Sequence, residues 1–455
     1  MMTLAERLAV YTNSLHYKDI PEDVIHEVKR RVIDSLGCAL GAYNSEPVRI
    51  AIEVASTVES TYNATIFGTK KKTSPDLSAF VNGVMIRYLD YNDTYLSKEP
   101  AHPSDNISTA LSVAEAEGRS GRDLITAIVI GYEIQCRLCD ASSLRNRGWD
   151  HVTYGAFSSG LTAAKLMNLS VEQTVHTLGL SGVANIAMRQ TRVGELSMWK
   201  GCAFANTARN AVFAAMLAKH GMTGPAPIFE GEKGFMKQVS GPLELEEFGG
   251  KGNHFKILDT YIKFYPAEYH SQSAIEAAIE LRGEIRDMER IETIEVKTFD
   301  ACYEIIGSGT EKWNPKTRET ADHSLPYCIA VTLADGEVGL DQFSEGRIKD
   351  PMLHKLMGKI KISRDADLNR QYPEAMPNLI EIITKDGRSF SKKINYPKGH
   401  PKNPTTDKEV EIKFKTMADN ILPPGQIDII LDKLWHLEYI KDGREIMDSI
   451  TVSEQ

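Results

Sequence analysis

Two acids, a threonine and a histidine crowd the stretch DYNDTYLSKEPAHPSD, residues 90 to 105. Asp90, Asp93 and Thr94 stand at i, i+3 and i+4, so a helix continuing from Phe80 to Leu89 would set them on one face. Asp90 follows the apolar run Val84-Met85-Ile86, and a carboxylate beside a core segment needs partners. His102 leads through Pro103-Ser104-Asp105 into what reads as a helix start, where the positive dipole end favours neutral imidazole. That is the form a general base needs. His151, in GWDHVTYGAFSSG, has a comparable position. Taken one at a time, each of these residues has a plainer reading as a solvated turn or a surface histidine. Together they are the raw material of proton transfer.

Cations come next. Lys200 stands in MWKGCAFANTARN ahead of an alanine-rich helix, with Arg189 and Arg192 (MRQTR) shortly before it. Basic residues at helix entrances oppose the macrodipole, which an anionic ligand would offset. Lys263 lies among aromatics in IKFYPAEYHSQSA, and Tyr327 follows TADHSLP at the opening of another helix. Proton-transfer groups with several lysines suit a small anionic substrate. Asp90, Asp93, His102 and His151 match no dedicated cation spacing, so no metal is expected. Gly249, Gly250 and Gly252 form neither GxGxxG nor GxxxxGK[ST], so no nucleotide cofactor is expected either.

The elements that must position these groups fall into three stretches. Residues 1–266 read as helix after helix: Ile25, Val28, Val32, Ile33 and Leu36 share one face, and Ser170 with Gln173 has capping-box spacing. Ser104 is placed to cap a helix through Ile107, Ala110 and Val113. In residues 267–402, RIETIEVKTF and KIKIS alternate in the strand manner, and residues 378–396 suggest a hairpin turning at Asp386-Gly387. That texture is α+β. Residues 403–455 are helical again, interrupted at Pro423-Pro424, and are expected to return to the first helical block.

Bulk properties exclude several function classes. A chain of 455 residues that is 42% hydrophobic and 25% charged is a folded protein of more than one domain. Its net charge of −9 argues against nucleic acid as a partner. Six scattered cysteines make no disulfide or iron–sulfur framework, and the lone pair Cys136/Cys139 falls in an apolar helical run. No apolar run reaches membrane-spanning length and no secretory leader is evident, so a cytoplasmic protein without membrane partners is expected.

RYLDYNDT (87–94), AHPSDN (101–106), KFYPAEYHSQ (263–272), HSLPY (323–327) and PKGHPKNP (397–404) together resemble the MmgE/PrpD family, over essentially the whole chain. The resemblance implies a mainly α fold, with a large all-helical domain built from both chain ends and a smaller α+β lid domain. It implies a homodimer without metal or other cofactor. The implied activity is metal-free loss of water from a 2-methylcitrate-like or citrate-like tricarboxylate. Decarboxylation of cis-aconitate, or metabolite binding without catalysis, are the alternatives. Asp90, Thr94, His102, His151 and Tyr327 are then the expected catalytic set. Lys200 and Lys263, with Arg189 and Arg192, are the expected substrate-binding set. One departure bears on Arg192: MRQTRVGELSM replaces the family's fuller LRTYRHAPNTG-type loop, which weakens that assignment.

Overall fold

Helix Gly121–Ala141 is apolar on every face at its centre, and such a helix must be surrounded by protein. It is buried from Leu124 through Cys139, and its first turn is closed by a reciprocal capping box between Ser120 and Asp123. Cys136 and Cys139 are buried within it as free cysteines, and burial pushes both thiols well above their ordinary range. The CxxC is packing. Helix Gly155–Leu166 approaches so closely that a Cβ on Gly131 would lie 2.7 Å from Thr162 Oγ1, which is why a glycine stands there.

The computed structural model describes residues 2–285 and 287–452. It divides into two compact units. The first runs through Thr191, continues over Gly201–Thr260 and resumes at Thr406. It is helical: Glu22–Ala42, Pro75–Arg87, Asn106–Ala116 and Val171–Ala184 join the two helices above, with most of Trp199–Lys219. The capping box at Ser170 and Gln173 forms as its spacing predicts. From the C-terminal segment, helix Asp407–Ala418 packs along Glu22–Ala42, where Lys413 Nζ lies 2.6 Å from Asp34 Oδ1. The same ammonium donates to the Tyr91 carbonyl at 2.7 Å. A late helix thus grips the turn that carries Asp90.

The second unit comprises Arg192–Lys200 and Tyr261–Thr405. Its four-stranded sheet has the order Ile360–Arg364, Ile291–Thr298, Asn378–Thr384, Ser389–Ile394. The first pair is parallel and the others antiparallel. Asn378–Thr384 alternates strictly between buried and half-buried positions, as its sequence predicts, and the hairpin turns with Gly387 at φ 82°. Helix Gln272–Glu284 packs on the last two strands and against helix Leu325–Asp335. The mainly α fold with a smaller α+β part is as expected. No helix of the described residues is long and apolar enough to cross a membrane.

Candidate active site

The helix expected to continue through Asp90 stops at Arg87, and Asp90 takes a left-handed backbone at φ 52°. Aspartate is among the few residues with a side chain that tolerate this region. Its carboxylate is held by the buried guanidinium of Arg87, through Nη1 to Oδ1. The helix does not continue, so the condition for Asp90, Asp93 and Thr94 to share one helical face is not met. Thr94 Oγ1 donates to the Ala101 carbonyl at 3.1 Å and closes the loop between the two bridged residues Tyr95 and Ala101.

Asp93 is the buried post of this loop. Its Oδ1 accepts the Ser104 amide at 2.9 Å and its Oδ2 accepts the Tyr132 hydroxyl at 2.7 Å, with Arg31 Nε 3.5 Å away. Burial raises its pKa; the Arg31 charge and the Ser104 bonds counter that only in part. Ser104 therefore does not cap the following helix as expected. Its hydroxyl accepts from Asn92 Nδ2 at 2.9 Å, and Asn106–Ala116 begins after a 3₁₀ turn, Pro103–Asp105.

His102 is fixed through both ring nitrogens. Nε2 lies 2.9 Å from Arg87 Nη2, and a guanidinium can only donate. Nδ1 lies 2.7 Å from the main-chain carbonyl of Asp93, which can only accept. The ring is thus neutral, with its proton on Nδ1. His151 stands beside it, the two ring centroids 5.7 Å apart in an edge-on arrangement. His151 Nδ1 lies 2.9 Å from Oδ1 of the buried Asp150, which also caps the 3₁₀ turn His151–Tyr154. A carboxylate on Nδ1 orients the ring and favours the proton there.

The second unit holds a separate buried set. Lys200 Nζ donates to Asp322 Oδ1 at 3.0 Å, and His323 Nδ1 lies 2.6 Å from the same oxygen and 3.1 Å from the lysine. Lys200 and Lys263 are 2% and 1% exposed, unusual for lysine without anionic company. Glu268, from the same KFYPAEYHSQ segment as Lys263, accepts from His270 Nδ1 at 2.6 Å. Burial would raise its pKa, but the charge and hydrogen bond of His270, with the His323 and Lys263 charges, hold it down at about 2. Tyr327 is buried, its hydroxyl 2.5 Å from the Gln342 carbonyl and its pKa raised by burial. Its donor is turned into its own unit.

Within the first unit, then, Asp90, His102 and His151 come together, while Thr94 is spent on its loop. Lys200 and Lys263 share the second unit, where both neighbour the Asp322–Glu268 group. Arg189 and Arg192 bound a half-buried 3₁₀ turn, with the Arg189 amide bonded to the Gly148 carbonyl. Sequence reasoning missed Arg87, Asp150, Glu268, Asp322 and His323. Each lies inside a motif already singled out (RYLDYNDT, GWDH, KFYPAEYHSQ, TADHSLP), and its signal was an ionisable residue within five positions of a chosen one.

Two family models cover most of the chain: the MmgE/PrpD N-terminal domain matches residues 6–247 and the MmgE/PrpD C-terminal domain matches residues 265–437. Among curated relatives, a 2-methylcitrate dehydratase of Cupriavidus necator is 28% identical over 427 residues, 88% of this chain and 87% of that protein. The 2-methylcitrate dehydratase of Escherichia coli is 28% identical over 81% of this chain and 80% of its own. An alkylcitrate dehydratase of a fungal species is 29% identical over 94% and 90% respectively. His102, His151 and Lys200 lie inside the first of these two spans, Lys263 falls just before the second, and the chain belongs to the MmgE/PrpD family.

Proposed function

We propose that this chain is a carbon–oxygen hydro-lyase that dehydrates a citrate-type tricarboxylate, 2-methylcitrate in the first instance, to the conjugated 2-methyl-cis-aconitate. The observation that carries the reading is the burial of Lys200 and Lys263 in one compact unit, beside Asp322 and Glu268. Two buried ammonium groups suit a substrate with several carboxylates. The names of the relatives point to the same substrate class.

The chemistry is demanding. A hydrogen next to a carboxylate is weakly acidic, and a tertiary hydroxyl leaves poorly unless it is protonated. Lys200 and Lys263 bind carboxylates and the enolate-like charge that develops, with Arg189 and Arg192 extending the cationic set. One ammonium about 4 Å from that charge contributes on the order of 4 kcal/mol at an effective dielectric of about 20, before desolvation. His151, oriented by Asp150, moves the proton, a contribution of roughly 10² to 10⁴ in rate. Asp90 is the second proton-transfer group. His102, engaged at both nitrogens, holds Arg87 and so the Asp90 carboxylate in place. Tyr327 and Thr94 shape their segments.

The reaction is read as metal-free because the Asp322 carboxylate and the His323 ring already face the Lys200 ammonium. The protein is expected to act as a homodimer, which sedimentation would check.

The test incubates purified protein with 2-methylcitrate, citrate and cis-aconitate, following ultraviolet absorbance of the conjugated product and released carbon dioxide. Absorbance should rise with 2-methylcitrate and survive a chelator. Carbon dioxide from cis-aconitate without dehydration would replace the reading with a decarboxylase. Stabilisation by the acids without turnover would leave a binding protein.

A further inference from the structure

Lys312 has no place in the chemistry above, yet it is only 6% exposed. Its main chain is firmly held: its amide donates to the Gly309 carbonyl at 3.2 Å, and its carbonyl accepts the hydroxyl of Ser324. Ser324 in turn caps helix Leu325–Asp335, directly after Asp322 and His323. The side chain therefore leaves a rigid anchor next to the partners of Lys200. Its ammonium makes no hydrogen bond or ion pair among the described residues.

That is costly. A charge held in a largely buried side chain without a partner is penalised, and an anion that supplies the counter-charge relieves that penalty. Lys200 has its counter-charge in Asp322, at 3.0 Å. The charged groups acting on Lys312 are Glu311, Lys200, Asp322 and Glu268. Burial lowers its pKa, and the repulsion from Lys200 adds to that, while the three acids counter it. A lone ammonium beside a second buried lysine is a receptor for an anion.

We propose that Lys312 is a third substrate-binding cation, receiving one carboxylate of the substrate and giving the enzyme its preference for three carboxylates over two. This inference rests on the tricarboxylate reading above and adds the residue that counts the third carboxylate.

The test compares wild type, Lys312→Met and Lys312→Arg as full chains, with citrate as tricarboxylate probe and malate as dicarboxylate probe. Thermal unfolding is read with and without each probe, and KM and kcat are read with 2-methylcitrate. Lys312→Met should unfold at the wild-type temperature or above, because it removes an unpaired buried charge. It should lose the citrate-induced shift while its response to malate stays that of wild type. KM should rise about 10- to 100-fold, the worth of one charge-assisted bond, with kcat within about threefold. Lys312→Arg should recover part of the citrate shift. A Lys312→Met protein that is less stable and keeps both the citrate shift and KM would make Lys312 a structural lysine and overturn the proposal. If wild type turns over no tricarboxylate but the citrate shift still depends on Lys312, the dehydratase reading fails and the binding role stands. Absence of any citrate shift in wild type would overturn the binding role.

Discussion

The Nη2 atom of Arg87 lies 2.9 Å from Nε2 of His102, while Nη1 of the same guanidinium holds Asp90. One buried arginine thereby fixes a histidine tautomer and a carboxylate together. A base must offer a lone pair, and that of His102 Nε2 faces a donor. In the reaction we propose, proton transfer therefore falls to His151, whose ring is oriented by the Asp150 carboxylate.

Replacing Arg87 by methionine strips Asp90 of its guanidinium and leaves a buried carboxylate to be solvated. The expected cost is about 3–5 kcal/mol of stability, the usual penalty for breaking a buried pair from one side. Urea unfolding measures it, and turnover should fall with it by about 10²-fold or more. Arg87→Lys keeps the charge but not the fork, so it should recover stability more than turnover. Wild-type turnover in Arg87→Met would remove this arginine from the site.

Asp150→Asn retains an oxygen for the cap on Val152 but no longer the charge on His151 Nδ1. The helical turn should survive, with unfolding within about 1 kcal/mol of wild type. The imidazole loses its oriented tautomer, and kcat should drop about 10²- to 10⁴-fold with KM little changed. Steady-state kinetics separate the two parameters. A fall in KM-dependent affinity alone, with kcat intact, would mean that Asp150 only caps.

Much of the scaffold was legible because it is written in local periodicity. The alternation of residues 378–384 predicts its strand, Asp386-Gly387 its turn, and Ser170 with Gln173 its helix start. The types of residue that could do chemistry were legible too, since a histidine or lysine in an apolar motif stands out. Their partners were not. Arg87 reads locally as a favourable cation in a last helical turn, and only the chain reversal at Asp90 turns it onto two other residues. Ser104 reads as a helix cap until Asn92 and Asp93, brought back by that reversal, claim its hydroxyl and amide. Lys413 lies more than 300 residues from the Tyr91 carbonyl it binds, beyond the reach of any window on the sequence.

Lys200→Ala removes the cation shared by Asp322 and His323. If Lys200 balances developing carboxylate charge, kcat/KM should fall about 10²- to 10³-fold, equivalent to roughly 3–4 kcal/mol. The same substitution leaves Asp322 with His323, so the fold should persist. Retention of near wild-type rates by both Lys200→Ala and His102→Ala would sink the assignment of this chemistry to these residues.

Glu268 gives the pH dependence a sign. Burial alone would raise its carboxyl, yet His270, His323 and Lys263 hold it at about 2 against an ordinary 4.5. A carboxyl depressed in the folded state stabilises fully above its unfolded pKa and loses that contribution as pH falls toward the folded value. The window therefore runs from about pH 4.5 down to about pH 2, and the depression corresponds to about 3 kcal/mol at neutral pH. Urea unfolding of wild type across that range should show stability declining as the medium is acidified. Glu268→Gln should be less stable at pH 7 and show a flatter acid limb, because it has no carboxyl to protonate. An equally steep acid limb in Glu268→Gln would place the acid sensitivity in other carboxylates. It would also show that the pairing with His270 contributes little to the stability of the second unit.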